Sequence, residues 1–133
     1  MNFDETVWDP VVLWVDGHPK GAVFYDASMI TGRDFYRLPR WLFQVDNLTT
    51  DAAVLYAVLL DRLDLSKQNA ARFSDEHNRI FVIYPRQDLM NLLGWGRERI
   101  ASAAKCLTQA NLMYERRRGQ GKPSLLYLRT LLA

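Results

Sequence analysis

Cysteine and histidine are nearly absent from this sequence. Its 133 residues include one cysteine, Cys106, and two histidines, His18 and His77. A single thiol excludes an intrachain disulfide and a cysteine-rich zinc site, and the two histidines stand in unrelated contexts. We therefore expect neither a metal nor a cofactor.

Long hydrophobic runs are also missing. No apolar stretch approaches the length of about 18 residues that a membrane-spanning helix needs. The first residues also lack the three-part layout of a signal peptide. We expect a soluble, cytoplasmic protein with no membrane partner.

The residue patterns of common enzymes are missing too. Neither histidine stands near a nucleophile, and Cys106 has no neighbouring base. Gly119-Gln120-Gly121-Lys122 is similar to part of a phosphate-binding loop, but such a loop opens a helix, whereas this segment lies between two strand-like segments. No catalytic residue can be named, and the sequence predicts a protein that is not an enzyme.

Charge is distributed unevenly along the chain. Residues 1–78 carry 7 Lys/Arg and 12 Asp/Glu, a net of −5, whereas residues 79–133 carry 10 Lys/Arg and 3 Asp/Glu, a net of +7. This asymmetry suggests that the second half faces a polyanion. The alternative is that an acidic and a basic face neutralise each other within one fold.

The basic half begins with a strand and a helix. The apolar residues 80–84 predict the strand. Pro85 suits the first turn of the helix, because backbone N–H groups in that turn have no intrahelical partner and proline, which has no N–H, loses no hydrogen bond there. Gly94-Trp95-Gly96 then predicts a tight turn.

A second helix and a hairpin follow. The helix is predicted from about Arg97 to about Ala110, with Asn111 as a left-handed stop, and residues 112–117 and 125–128 can pair as strands. This order predicts an α+β fold: a winged helix-turn-helix, mostly helical, with a C-terminal β-hairpin wing and an additional N-terminal β-hairpin.

The second helix of this pair has two different faces. At 100° per residue the apolar side consists of Ile100, Ala103, Ala104 and Leu107. The opposite side consists of Glu98, Ser102, Lys105 and Gln109, with Arg97 and Arg99 near the N-terminal end. Such a slim polar face suits the major groove, and we expect Arg99 or Lys105 to read a base. The alternative is an ordinary amphipathic helix with a solvated face.

The hairpin favours nucleic acid. Four cations surround a glycine-rich tip: Arg116, Arg117, Arg118 and Lys122. Cations at this spacing can neutralise phosphates on both sides of a backbone, and Gln120 could read a base edge. The alternative is an exposed basic loop without a partner.

The acidic half predicts a helix and a second hairpin. Thr49 or Thr50 can cap a helix whose apolar stripe runs from Ala52 to Leu63, and residues 64–79 are predicted to be a polar connection.

The predicted N-terminal hairpin lies before this helix. Residues 11–15 and 22–25 are strand-like on either side of Asp16-Gly17, a favoured turn pair. Both flanks are apolar on both faces, so the main domain or a second copy of the chain must cover them. We expect residues 1–34 to be an N-terminal hairpin extension and residues 35–133 to be a winged-helix DNA-binding domain.

Four blocks, spanning about residues 35–128, resemble the N-terminal domain of the RepA_N family of plasmid replication initiators. The blocks are Phe35-Tyr36-Arg37-Leu38-Pro39 with Leu42-Phe43; Leu48-Thr49-Thr50-Asp51-Ala52 through Leu55-Tyr56, Leu59-Leu60-Asp61-Arg62 and Leu65-Ser66; Asp75-Glu76 through Arg79-Ile80-Phe81-Val82-Ile83-Tyr84 and Asp88-Leu89-Met90; and Arg116-Arg117-Arg118-Gly119-Gln120-Gly121-Lys122-Pro123 with Tyr127-Leu128.

The resemblance implies a winged helix that binds repeated origin sequences as a homodimer. It also implies that positions 97, 99, 102 and 105, together with the wing at 116–122, contact double-stranded DNA. Pro85 and Gly96 stand where the family has capping serine or threonine, and Asn111 replaces a glycine. Family initiators have a further C-terminal domain thought to engage host replication proteins, and we expect this sequence to be either a fragment of a longer protein or a short relative that only binds DNA.

These patterns together predict an origin-binding protein that acts in initiation of plasmid or mobile-element replication. Two alternatives stay open. One is a transcriptional regulator of a mobile element with the same fold, and the other is a protein-interaction winged helix that does not bind DNA.

Overall fold

The computed structural model describes residues 11–30 and 34–131. The chain divides into two compact units, Met1–Phe35 and Tyr36–Ala133. The first contains an antiparallel pair of strands, β1 (Val11–Val15) and β2 (His18–Ala22). The second contains three α-helices and an antiparallel pair of strands: α1 (Thr50–Gln68), α2 (Arg86–Leu93), α3 (Arg97–Gln109), β3 (Met113–Arg116) and β4 (Leu125–Leu128). The predicted α+β fold is confirmed.

The N-terminal hairpin turns earlier than predicted. Asp16 and Gly17 have φ angles of 51° and 76°, and Val15 pairs with His18. A two-residue turn with positive φ at both positions matches the twist of paired strands, so pairing resumes at once. The predicted strand at 22–25 is therefore wrong, because the second strand has already ended at Ala22.

α1 is the central helix of the second unit. The Thr49 side chain caps it by accepting a hydrogen bond of 3.1 Å from the N–H of Ala52. The apolar stripe that the sequence predicts from Ala52 to Leu63 is mostly buried. Ala53, Ala57 and Val58, which lie outside this stripe, are buried as well. The helix runs on to Gln68, which shows that the prediction of a polar connection from residue 64 was wrong. Exposed polar residues in the last turns carry no apolar period that would mark them as helical.

The predicted strand at 80–84 is reduced to single bridges. Val82 exchanges two backbone hydrogen bonds with Leu126, of 2.8 and 2.9 Å, and Ile80 bridges Ser74. Val82 is fully buried. The segment therefore extends the wing sheet at this one position and adds one side chain to the core.

The turn between α2 and α3 depends on glycine at one position. Gly94 ends α2 with a φ of 67°, a left-handed conformation that costs glycine little. Gly96 precedes α3 with an extended backbone, and no side chain caps the helix there. Pro85 lies at the N-cap of α2 rather than inside its first turn.

Asn111 ends α3 as predicted. Its φ is 60°, the N–H of Leu112 donates to the carbonyl of Leu107, and the N–H of Asn111 donates to that of Thr108. These two bonds form a Schellman motif, and both leucines are buried, as is common for that motif. The chain consequently passes from α3 into β3 within three residues.

The core of the second unit lies between α1 and α3. Ile100, Ala103, Ala104 and Leu107 are all buried, as the helical period predicts, and they share one cluster with Leu55 and Leu59 of α1. In the described part of the chain, no helix combines the length and apolarity needed to span a membrane.

Candidate nucleic-acid interface

The side of α3 opposite the core is exposed along its whole length. Glu98, Ser102, Lys105 and Gln109 all face solvent, as does Ala101. Within the described residues, no ion pair or hydrogen bond engages the side chains of Arg97 and Lys105. These two cations are therefore available to a ligand that approaches this face.

Arg99 is engaged differently. Its Nε and Nη2 atoms donate to the two carboxylate oxygens of Asp51, at 2.8 and 2.9 Å. Its guanidinium carbon lies 4.3 Å from the centroid of the Trp95 ring, within the range of a cation–π contact. The Arg99 hydrogen bonds lower the pKa of Asp51, and the same bonds raise the pKa of Arg99.

The Asp51 pair also offsets a local cost. Arg99 lies in the first turn of α3, where the positive end of the helix dipole disfavours a cation. A carboxylate that reaches across from the first turn of α1 compensates for this.

The end of β3 and the loop at 117–124 that joins it to β4, called the wing loop, carry four cations of two kinds. Arg116 lies 3.3 Å from Glu76, and the Nε atom of Arg118 donates to the carbonyl of Pro123 at 2.9 Å. Arg117 and Lys122 are exposed, and no ion pair holds either of them within the described residues. Arg116 and Arg118 thus shape the loop, while Arg117 and Lys122 project from it.

Gly119 and Gly121 determine the path of the wing loop. Their φ angles are 104° and 80°, values that side-chain-bearing residues rarely adopt. Gln120 lies exposed between them. The tip can therefore turn tightly and bring its backbone close to a ligand surface.

A buried carboxylate supports the segment that packs beside the wing. Asp75, whose side chain is only 2% exposed, accepts hydrogen bonds from the N–H groups of His77 at 2.8 Å and Arg79 at 2.9 Å. Burial alone would raise the pKa of Asp75, but these hydrogen bonds outweigh it and lower the pKa from 3.8 to about 2. The turn is thus tied to an ionised carboxylate.

The structure places all ten predicted DNA-contacting residues in one compact unit, on α3 and on the wing that follows it. It also adds partners that sequence reasoning missed, namely Asp51, Trp95 and Glu76. Asp51 is 48 residues away from Arg99, and Glu76 is 40 away from Arg116, so no local pattern could reveal either pair. Among the described residues, no group of three or more histidine, cysteine or acidic side chains could hold a metal ion.

Solved structures with this fold are similar in sequence as well. One described as an N-terminal domain of a DNA-binding protein is 31% identical, with a TM-score of 0.67 and an alignment that covers 84% of this chain and 86% of that chain. A Rep–DNA complex is 32% identical, with a TM-score of 0.67 and the same coverage. An MDR initiator is 30% identical, with a TM-score of 0.63, and its alignment covers 84% of this chain and 88% of the other.

No curated protein is significantly similar to this chain in sequence. The family model that describes the N-terminus of replication initiator protein A (RepA) matches residues 34–133, which include every helix of the second unit and the wing. This chain therefore belongs to the RepA_N family of replication initiators.

Proposed function

We propose that this chain binds double-stranded DNA at the repeats of a replication origin and acts in initiation of plasmid or mobile-element replication. α3 enters the major groove, and the wing follows the neighbouring backbone. Membership in a family of replication initiators supports this proposal, and so does the similarity to a Rep–DNA complex.

The exposed face of α3 carries the proposal. It combines small side chains, such as Ala101 and Ser102, with the exposed cations Arg97 and Lys105. Small side chains let the helix approach base edges in a groove about 12 Å wide, and the longer polar ones offer donors to those edges. Arg97 contacts phosphate near the helix N-terminus, while Ser102, Lys105 and Gln109 face the bases.

The wing supplies sequence-independent affinity. Arg117 and Lys122 neutralise phosphates, and each such contact releases a counterion, which makes binding depend on salt. Gln120 reaches a base edge from the tip. Arg116 and Arg118 hold the loop in shape and add to its positive potential.

The N-terminal extension, residues 1–34, forms the homodimer in this proposal. Every residue of β1 is exposed, and Trp14 is 74% exposed. A two-stranded hairpin is marginal in water by itself, and an apolar strand without a cover is a ready surface for a second copy of the chain. Dimers then match two neighbouring half-sites on the DNA.

A titration against random duplex DNA at two salt concentrations tests the function. We expect strong binding at low salt that weakens steeply as salt rises. Absence of binding at low salt would contradict the proposal and favour a protein-interaction winged helix.

A second titration separates replication from transcription. It compares a duplex that carries several directly repeated sites with one that carries a single palindrome, both built from a sequence selected by the protein. Preference for the repeats is the expected result, while preference for the palindrome would favour a transcriptional regulator.

A further inference from the structure

Arg99 contacts a carboxylate and an aromatic ring at the same time. Its Nε–Nη2 edge is paired with Asp51, and one face of the guanidinium lies over Trp95. The three residues come from the first turn of α3, the first turn of α1 and the turn that precedes α3. Contacts to two other segments therefore fix both the position and the orientation of this side chain.

The second edge of the guanidinium is still available. Arginine has five N–H donors, and the Asp51 pair uses two of them, so donors remain on Nη1 and Nη2. Within the described residues, no hydrogen bond occupies that edge, and the Arg99 side chain is 54% exposed. Two parallel donors on one edge match the O6 and N7 acceptors of guanine in the major groove.

We propose that Asp51 and Trp95 orient Arg99 so that its free edge reads a guanine, which makes Asp51 a specificity-determining residue that itself contacts no DNA. This inference rests on the proposed function, because it requires α3 to lie in the major groove. Immobilising a long side chain on binding costs conformational entropy and so weakens the affinity. Asp51 and Trp95 hold Arg99 in place before DNA arrives, which reduces that loss at the correct base.

Removal of Asp51 should affect discrimination between sequences and overall DNA affinity differently. A carboxylate near DNA repels phosphates, so its removal does not weaken sequence-independent attraction. An unrestrained Arg99, in contrast, reaches phosphates as easily as bases. Loss of Asp51 is therefore expected to reduce discrimination between sequences while affinity for unrelated DNA stays the same or rises.

The test uses two duplexes: the best sequence that the wild-type protein selects from a randomised pool, and a scrambled sequence of the same composition. The ratio of the two affinities measures discrimination. Arg99→Ala is expected to lower this ratio about tenfold to a hundredfold, the value of a bidentate arginine–guanine contact. Asp51→Ala and the isosteric Asp51→Asn are each expected to lower it several-fold, while the affinity for the scrambled duplex stays the same or rises.

A double variant and a matched control complete the test. Asp51→Ala combined with Arg99→Ala should discriminate no worse than Arg99→Ala alone, because Asp51 acts through Arg99. Asp64→Ala removes a carboxylate from the other end of α1, where it pairs with Arg37, and should leave the ratio unchanged. Thermal unfolding of each variant confirms that the domain is folded at the assay temperature.

Two results would overturn the inference while wild-type protein still binds DNA. One is wild-type discrimination in both Asp51 variants, and the other is an equal loss of affinity for both duplexes. If the wild-type protein bound neither duplex at low salt, the proposed function would fail, and this inference with it.

Discussion

The two β-hairpins of the described chain differ in how far their apolar side chains are exposed to solvent. In β1–β2, apolar side chains are exposed on both faces, and only Ala22 is partly buried. In β3–β4, Met113, Leu125 and Leu126 are buried, and Val82 pairs with the outer edge of β4. The wing hairpin is thus stabilised by the core of its own unit, whereas the side chains of the N-terminal hairpin are left almost entirely exposed. The same secondary structure is proposed to contact DNA in one place and a second copy of the chain in the other.

The largest expected effect is on the free energy of unfolding, which should depend on a leucine of the wing hairpin but not on a leucine of the N-terminal hairpin. Leu126→Ala should destabilise the fold by about 2–5 kcal/mol, because it leaves a cavity beside Val82. Leu13→Ala, a matched change in the exposed β1, should change the stability of the monomer by no more than about 0.5 kcal/mol. Urea unfolding at a protein concentration low enough to keep the chain monomeric measures both. Equal destabilisation would show that the N-terminal hairpin is as much a part of the fold as the wing.

The second prediction concerns association. Trp14→Ser should weaken the dimer by about 2 kcal/mol or more, the usual cost of removing a central tryptophan from an interface. Tyr114→Ser removes a similarly exposed aromatic residue from the wing hairpin and should leave the dimer intact. Light scattering over a range of protein concentrations follows both variants. A wild-type mass for Trp14→Ser at every concentration would rule out β1 as the dimer contact.

These hairpins also show what the sequence can reveal. Local signals placed the turns and ends correctly where one residue type determines the backbone: Asp16-Gly17 for the first turn and Asn111 for the end of α3. The apolar period of α3 predicted its buried side residue by residue. Each of these features depends on neighbours within about four positions.

Features that depend on distant neighbours were not predictable. Val82 joins the wing sheet through Leu126, and Arg99 is held by Asp51, so both arrangements exist only after the chain has folded. The residues of the candidate interface could therefore be named from the sequence, but the sequence did not distinguish Arg99, which Asp51 holds, from the exposed Lys105.

The third prediction compares a cation on each hairpin. Arg117→Ala should weaken binding to all DNA sequences and reduce the salt slope by roughly one unit, as expected for one lost phosphate contact. Lys20→Ala removes an exposed cation from β2 and should leave the slope unchanged. Fluorescence titrations with a labelled random duplex at four salt concentrations give both slopes. If Lys20 rather than Arg117 set the slope, the DNA-binding surface would have to be reassigned to the N-terminal hairpin.

The smallest expected effect is a loss of the stability that Asp75 contributes, and it occurs only at acidic pH. The pKa of Asp75 in the folded chain, about 2, is lower than its ordinary value of 3.8. Its stabilising contribution is therefore complete above about pH 5 and disappears as the pH falls from about 4 towards 2. Asp75→Asn should be less stable than wild type at neutral pH, and the difference should shrink over that interval.

Asp16→Asn provides the control for Asp75, since it removes a carboxylate from the turn of the other hairpin and asparagine tolerates the same positive φ. At neutral pH this variant should be no less stable than wild type, because the Asp16 side chain is exposed and makes no hydrogen bond within the described residues. Thermal unfolding at half-unit pH intervals measures both variants, and a pH-independent deficit in Asp75→Asn would argue against an ionised Asp75 as the cause.

DNA binding by α3 and the wing is tested most directly by amide hydrogen exchange measured with and without a short duplex, at a protein concentration at which the oligomeric state does not change. We expect new protection in the N-terminal half of α3 and at residues 117–122 of the wing loop, with β1 and β2 unchanged. Protection confined to residues 11–22, with α3 and the wing loop unaffected, would contradict it.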